Sequence, residues 1–419
     1  MRVLLTVQGE GRGHLTQALA FQQWCRREGH EVVAVLAGAN RNRRWPDYFE
    51  RGFDVPVERL ASPAMIYSNS RRFSTAATLW TLLTRLGDYR GSVRCLEAAI
   101  RQTQPDLLVN FLEPVAAWHR AISGGRVPIL SVGHQFLVNR PGSVRLGVQR
   151  MQQWAFRQYV DFVGAGTTRY ALSFYRAEED PGQGFLIGPP LLREELFQVC
   201  PTWGRHLLVY LLNDGYLREV EAWHRRHPEV ELHCFCQRPG RPEEERRDTH
   251  LVIYQLHATR FLESMAQCRA VVCTAGFESL SEAAWLGKPV LAIPVEGHIE
   301  QALNAADAER CGLGVASREF SLDRVLSLTR PRAAQQSFRV WMKESDSRLS
   351  RAVGLAVRSG RRPYSAGPEP DELTLRPAGS GACRRRVWVP PGPHAGSPGG
   401  VVPKTVTSRA WTSGEAGSR

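Results

Sequence analysis

Residues 273–284 read Cys273-Thr274-Ala275-Gly276-Phe277-Glu278-Ser279-Leu280-Ser281-Glu282-Ala283-Ala284 and follow at once on the apolar run Ala270 to Cys273. A strand pattern gives way to three small residues and then to helical spacing, which stops at Gly287 before Lys288-Pro289 opens another apolar run to Ile293. Strand, turn, helix and strand in that order build a parallel sheet covered by helices. Thr274 to Gly276 therefore predict a tight turn whose free amides open a helix, a seat for a diphosphate at the positive end of the helix dipole. Glu278 and Glu282 lie four residues apart on one face of that helix, so one carboxylate reaches ribose hydroxyls while the other stays near the mouth. After Ile293-Pro294 comes the polar loop Gly297-His298-Ile299-Glu300-Gln301, and then Asn304. A carboxylate beside an amide supplies an acceptor and a donor for adjacent sugar hydroxyls, and at the carboxyl end of a parallel strand the loop faces the ligand crevice.

The alternation extends in both directions. Strand patterns at His206 to Leu212, Glu231 to Phe235, Leu251 to Tyr254, Ala270 to Cys273 and Pro289 to Ile293 make one βα domain. Upstream, Arg2 to Val7, Glu31 to Ala37, Leu107 to Phe111, Pro128 to Val132 and Phe162 to Gly164 read as strands of another, with a helix from about His14 to Glu28. Asp180 to Pro190 is the expected linker, and a cleft between two such domains is where ligands sit. The expected division is 1–180, 181–335, a C-terminal helix at 336–360 and a tail at 361–419. That tail is rich in Pro, Gly, Ser and Arg, with nine basic against four acidic residues. It holds too few apolar groups to offset the entropy of ordering and is expected to be disordered.

Gly9-Glu10-Gly11-Arg12-Gly13-His14 marks the turn from the first strand into the first helix. A dinucleotide fingerprint wants glycine where His14 stands and an acid at the end of the second strand, which here closes Leu36-Ala37-Gly38. No Lys-Ser/Thr follows the glycines, which excludes a P-loop. His14, at the start of the helix, suits either a general base or a packing role at a helix end.

At 419 residues the chain is long enough for two ordinary domains. Its 43% hydrophobic and 23% charged content is that of a globular protein, and no run approaches the roughly 18 apolar residues that span a bilayer. Gln8 and Glu10 interrupt the first apolar stretch, so it reads as no signal peptide and the expected location is the cytoplasm. The nine cysteines form no Cys-x-x-Cys unit, which argues against a disulfide framework and a structural zinc site; Cys234 and Cys236 read as core residues on one face of a strand. A net charge of +13 permits an anionic partner, whether nucleotide phosphate, lipid or nucleic acid. Nucleic acid is disfavoured, because the basic tail brings few aromatic residues such as Trp388 and Trp411. Thr75 to Leu83, with Trp80 and nearby arginines, reads either as a core-facing helix or as a peripheral contact with a membrane carrying a lipid-linked acceptor.

Phe261-Leu262-Glu263-Ser264-Met265-Ala266, Thr274-Ala275-Gly276, Ser281-Glu282, Gly287-Lys288-Pro289, Ile293-Pro294 and Glu300-Gln301 through Asn304 resemble the donor domain of family 28-type and related GT-B glycosyltransferases. These include the N-acetylglucosaminyltransferase that makes lipid II. Gly11-Arg12-Gly13-His14 is similar to that family's Gly-Gly-His turn, and Gly133-His134-Gln135 falls where it has an acceptor-side loop. The resemblance spans roughly residues 1–330. It implies an α/β GT-B fold, two Rossmann-like domains facing across a cleft, and a glycosyltransferase of cell-envelope or glycoconjugate synthesis that takes a hexose or N-acetylhexosamine from a nucleotide sugar, UDP-linked by preference.

Position by position, the resemblance implies the diphosphate at Thr274, Ala275 and Gly276, with Phe277, Glu278 and Ser279 opening the helix beside it. It implies the ribose at Glu282 and the base on the backbone of Leu262. His298, Glu300, Gln301 and Asn304 fall to the donor sugar, Gly11 and Gly13 to the facing turn, and His14 to the acceptor nucleophile. Glu113, His134 and Gln135 fall to the acceptor side. Asn213 stands where the family has a Gly-Gly-Ser loop and is the candidate phosphate contact there; Tyr67 to Arg94 matches no assigned acceptor region. Inversion without metal or cofactor is the implied chemistry, and the sequence contains no Asp-x-Asp. Two other readings stand beside it: a nucleotide-sugar 2-epimerase, which needs carboxylates such as Glu10, Glu113 or Glu296 near the sugar, and a non-catalytic binding protein.

Overall fold

A computed structural model describes residues 1–9, 11–39, 45–63, 67–68, 72–73, 84–124, 127–139, 150–211, 214–318 and 321–360. Glu10, Asn213, Thr75 to Leu83 and the tail at 361–419 lie outside the described residues.

The first strand, β1 (Arg2–Gln8), carries Val3, Leu4, Leu5 and Val7 with no solvent exposure, as a strand covered on both faces must. Beside it lie β2 (Glu31–Ala39) and β3 (Val57–Ala61) on one flank. On the other lie β6 (Leu107–Phe111), β7 (Ile129–Val132), β8 (Thr168–Leu172) and β9 (Phe185–Gly188), giving the order β3-β2-β1-β6-β7-β8-β9. A two-stranded ribbon, β4 (Tyr67–Ser68) and β5 (Arg72–Phe73), stands apart. The second sheet is built from β10 (Leu207–Leu211), β11 (Leu232–Cys236), β12 (Glu244–Arg246), β13 (Leu251–Tyr254), β14 (Ala270–Cys273), β15 (Val290–Ala292) and β16 (Val315–Ala316), in the order β12-β13-β11-β10-β14-β15-β16. Every pairing in both sheets is parallel except that of β12, at the edge.

Strand order reverses between β1 and β6 in the first sheet and between β10 and β14 in the second. A crevice opens outside the carboxyl ends of parallel strands at such a reversal. The Gly turn after β1 and the small-residue turn after β14 occupy these two points, so the two most informative stretches of sequence sit at the ligand-accepting edges of their sheets.

Two sequence expectations are corrected. Phe162 to Gly164 closes the helix Arg150–Gly164 and is not a strand. Phe156, Val160 and Val163 are buried at helical spacing while Phe162 is exposed, and the short apolar window hid that periodicity. Thr168–Leu172 is the strand that follows. Phe185–Gly188, inside the expected linker, is the last strand of the first sheet; its four residues follow Gly184 at φ +65° and lack the length of a strand signal.

Where one C-terminal helix was expected, two form, Arg332–Met342 and Ser345–Gly360. The second lays Leu349, Ala352, Val353 and Ala356 against β7, β8 and β9, so the chain returns from the second sheet to cover the first. Trp341, almost fully buried, donates from its indole nitrogen to Ser173 O at 2.9 Å, and Arg348 Nη1 donates to Ile187 O at 3.0 Å and to Glu179 Oε1 at 2.9 Å. Replacing Trp341→Ala opens a cavity and strands the Ser173 carbonyl. The expected loss is about 3–5 kcal/mol, read as a lower urea midpoint, with Trp341→Phe losing less.

Candidate active site

At the end of β14 the backbone turns sharply, because Ala275 takes φ +54°, a conformation that costs a non-glycine residue free energy. The turn is braced from another element: Asn304 Nδ2 donates to Ala275 O at 3.0 Å. Gly276 then caps the helix Phe277–Leu286 without any side-chain acceptor, so the first-turn amides keep their donors. Thr274, Gly276, Phe277, Glu278 and Ser279 line a cavity of about 510 Å³.

The opposite wall is the start of the helix Arg12–Arg27, whose cap, Gly11, likewise provides no side-chain acceptor. Gly11, Arg12, Gly13, His14, Thr16 and Gln17 face the same cavity. The two helix starts approach so closely that a Cβ on Gly13 would stand 3.5 Å from Glu278 Cγ. Gln17 Nε2 donates to Glu278 Oε1 at 2.7 Å, and Gln17 Oε1 lies 3.2 Å from His14 Nδ1. On its other side His14 Nε2 is 3.5 Å from Gln135 Nε2. Arg193 reaches in from the segment after β9 and donates to Glu282 Oε1 at 2.7 Å, with the carboxylate 4% exposed. Two helix ends with free amides and two guanidinium groups, Arg12 and Arg193, thus line one cavity that suits a polyanion.

A model of glycosyl transferase family 1 matches residues 1–330. The chain belongs to this family. Phytolacca americana UGT2, solved with UDP-2fluoro-glucose and pterostilbene, is similar to the glycosyltransferase at 13% identity over 85% of this chain and 100% of that one, with a TM-score of 0.59. The glycosyltransferase SnogD from Streptomyces nogalater is similar at 16% identity over 85% of this chain and 99% of that one, with a TM-score of 0.52. Among curated protein sequences none matches. The fold is GT-B, α/β with two parallel-dominated sheets.

The glycosyltransferase's remaining walls are built by His298, Glu300 and Gln301 on one side and His134 and Gln135 on the other. His298 Nδ1 accepts from Gln301 N at 3.4 Å as the cap of the helix Ile299–Arg310, which puts the ring proton on Nε2, and burial lowers its pKa. Gln301 Oε1 accepts from Val295 N at 2.8 Å, so only its NH₂ group is left for a ligand. His134 ties the halves together: Nδ1 donates to Leu172 O at 2.7 Å, Nε2 faces Asp307 Oδ2 at 3.2 Å, and the ring stacks on Phe277 at 4.4 Å.

Four expected site residues do not line the cavity. The Leu262 side chain is core, and Leu256, His257, Ala258 and Phe261 form that wall instead, because the helix Ala258–Gln267 directs Leu262 inward and leaves the preceding residue, Phe261, at the cavity. Ala275 is fully buried and contributes only backbone curvature, and Asn304 braces that turn from below. Glu113 is buried beneath the first sheet's edge, where Oε1 accepts from Ser62 Oγ at 2.7 Å and from Val115 N at 3.1 Å to cap the helix Pro114–Ser123. Glu296 is exposed and outside the lining, so neither described carboxylate of the epimerase reading stands at the cavity.

Gln17, Arg193, Arg12, Tyr48 and Tyr210 were missed. Gln17 had a signal, three residues after His14 on the same helix face; Arg193 sits in irregular chain and had none. Among the described residues one cluster has the composition of a metal site, His206, Glu231 and His233. It lies at the amino ends of β10 and β11, away from the cavity; its imidazoles stack at 4.0 Å and 19°, and both face Ser264, with His206 Nε2 3.0 Å from Ser264 O and His233 Nδ1 3.3 Å from Ser264 Oγ.

Burial pushes the Glu278 carboxyl up to about 8, only partly offset by the Gln17 hydrogen bond, with Glu282 adding repulsion. An acid whose pKa is raised on folding contributes stability below its unfolded value, near 4.5, and loses it as pH rises toward about 8. Glu278→Gln removes that dependence. Relative to wild type, the variant's melting temperature is expected to be higher at pH 9 than at pH 5, checked by thermal melts of both proteins across that range.

Proposed function

We propose that this glycosyltransferase moves a hexose or N-acetylhexosamine from a UDP-sugar to an acceptor hydroxyl, with inversion and without a metal ion. The observation that carries the reading is a single cavity walled by both the uncapped amides after β14 and His14. The donor's diphosphate lies against Thr274, Gly276 and the first-turn amides, flanked by Arg193 and Arg12, and Glu282 with its Arg193 partner faces the ribose. Leu256, His257 and Phe261 receive the base. Glu300 and the Gln301 NH₂ hold sugar hydroxyls.

In the transfer step His14 Nε2 takes the acceptor hydroxyl's proton, the acceptor oxygen bonds to the anomeric carbon, and the bond from that carbon to the diphosphate oxygen breaks. The electron pair leaves with the nucleotide diphosphate, whose charge the helix-end amides and guanidinium groups stabilise without reorganising. The motif resemblance to the lipid II-forming enzymes supports an N-acetylhexosamine among the donors. The pterostilbene bound with UGT2 supports an acceptor hydroxyl on an apolar aglycone as readily as on a lipid-linked one. Among the described residues no helix is long and apolar enough to cross a membrane.

Thermal shift with UDP, UDP-glucose and UDP-N-acetylglucosamine tests the donor site. A ligand at 100-fold its Kd stabilises the native state by about 2.7 kcal/mol, and Arg193→Ala is expected to remove most of that shift. No shift with any nucleotide diphosphate overturns the reading, and release of an epimer without acceptor replaces it with isomerase chemistry. His14→Ala is expected to keep the UDP shift while transfer to an acceptor panel falls by about 10²- to 10⁴-fold, followed as UDP release.

A further inference from the structure

Between His14 and the second half of the molecule lies one amide side chain, and an amide has a direction. Gln17 Nε2 is 2.7 Å from Glu278 Oε1, and Gln17 Oε1 is 3.2 Å from His14 Nδ1. Gln17, Glu278 and His14 are all buried, at 2%, 6% and 7% exposure. Glu278 Oε2 has no hydrogen-bond partner among the described residues. It is therefore the oxygen that takes the proton when the carboxyl is neutral, and Oε1 accepts in either state. Gln17 is then held with its NH₂ toward Glu278 and its carbonyl toward His14. A carbonyl only accepts, so His14 must carry its proton on Nδ1 and leave the lone pair on Nε2.

We propose that Glu278, carried on the second half of the molecule, acts through the Gln17 amide to set the tautomer of His14, so that with the two halves together the imidazole presents a basic Nε2, on the side where Gln135 Nε2 lies at 3.5 Å. This rests on reading His14 as the general base. Free imidazole side chains favour the opposite tautomer, with the proton on Nε2, so the relay works against an intrinsic preference. Gln17 and Glu278 are positioning residues. Gly13 lies beside this path, where a Cβ would stand in ordinary contact with Glu278 Cγ at 3.5 Å. The consequence is a base assembled by closure: a donor that draws the helix Phe277–Leu286 onto the helix Arg12–Arg27 also readies the group that deprotonates the acceptor.

The tautomer is readable without knowing the acceptor. In the full chain labelled with ¹⁵N-histidine, the His14 ring signals are assigned by their loss in His14→Gln. Wild type is expected to show a protonated Nδ1 and an unprotonated Nε2. Gln17→Leu and Glu278→Leu are each expected to move the proton to Nε2. Glu278→Gln, whose amide carbonyl still accepts from Gln17, is expected to retain the wild-type tautomer. In turnover with a working acceptor, both leucine variants lose about 100-fold in kcat at unchanged donor KM, and Glu278→Gln recovers most of the loss. Wild-type His14 with its proton on Nε2 overturns the relay outright, whatever the variants' folding; so does a tautomer unmoved in both folded leucine variants. If His14→Ala retains kcat while the tautomer pattern holds, the relay survives and the base assignment falls.

Discussion

A parallel sheet delivers the carboxyl ends of all its strands to one edge, and everything functional in this glycosyltransferase depends on two such edges meeting. Because strand order reverses at β1/β6 and at β10/β14, each sheet opens a crevice at that edge. The chain that leaves each opening starts a helix whose cap is a glycine with no side chain to satisfy the first-turn amides. Two positive helix ends brought together repel each other unless something negative lies between. Glu282, Glu300 and Asp214 bring carboxylates to this space, and Glu278, whose carboxyl is pushed up by burial, lines it beside them.

Glu278 and Glu282 are buried, and burial decides their chemistry. Desolvation disfavours a lone carboxylate by more than a distant positive charge restores. The two acids of the helix Phe277–Leu286 meet this constraint in different ways. Glu282 has a guanidinium at 2.7 Å, from Arg193. Glu278 has only a neutral amide, and its carboxyl is pushed up to about 8. A neutral acid at the start of a helix does not oppose an incoming diphosphate, whereas an ionised one would. Asp307 follows the first pattern, facing His134 Nε2, Tyr175 OH and Arg310. Polar contacts thus bridge the halves at Glu278 with Gln17 and at Asp307 with His134 and Tyr175, while Glu278 Oε2 keeps no hydrogen-bond partner among the described residues.

Most of the architecture was legible in the residues. β1 and β14 read as continuous apolar runs because they are covered on both faces, and Gly287, at φ +71°, stops its helix where the periodicity ends. Thr274 to Gly276 was legible as a turn because three small residues between strand and helix have few alternatives. Strand β9 was not, since a four-residue strand at a sheet edge carries too little pattern to separate it from linker.

Side-chain roles divide along the same line. The seat formed by Thr274 to Ser279 and the histidine facing it follow from local sequence, because backbone amides at a helix start need only a turn and a helix to exist. Leu262, Asn304 and Glu113 changed role on folding: which face of a helix points to a cavity, and whether an amide braces a turn or meets a ligand, depends on neighbours far away in sequence. Gln17 and Glu278 are 261 positions apart, and nothing in either segment announces the other. The sequence by itself determined the two sheets, their ligand-accepting edges and the amide seat, since these are short-range consequences of apolar periodicity and turn chemistry. Only the tertiary structure decided the Arg193–Glu282 pair and the contact of Gln17 with Glu278, because hydrogen bonds are directional and close at about 3 Å, a proximity that packing alone sets.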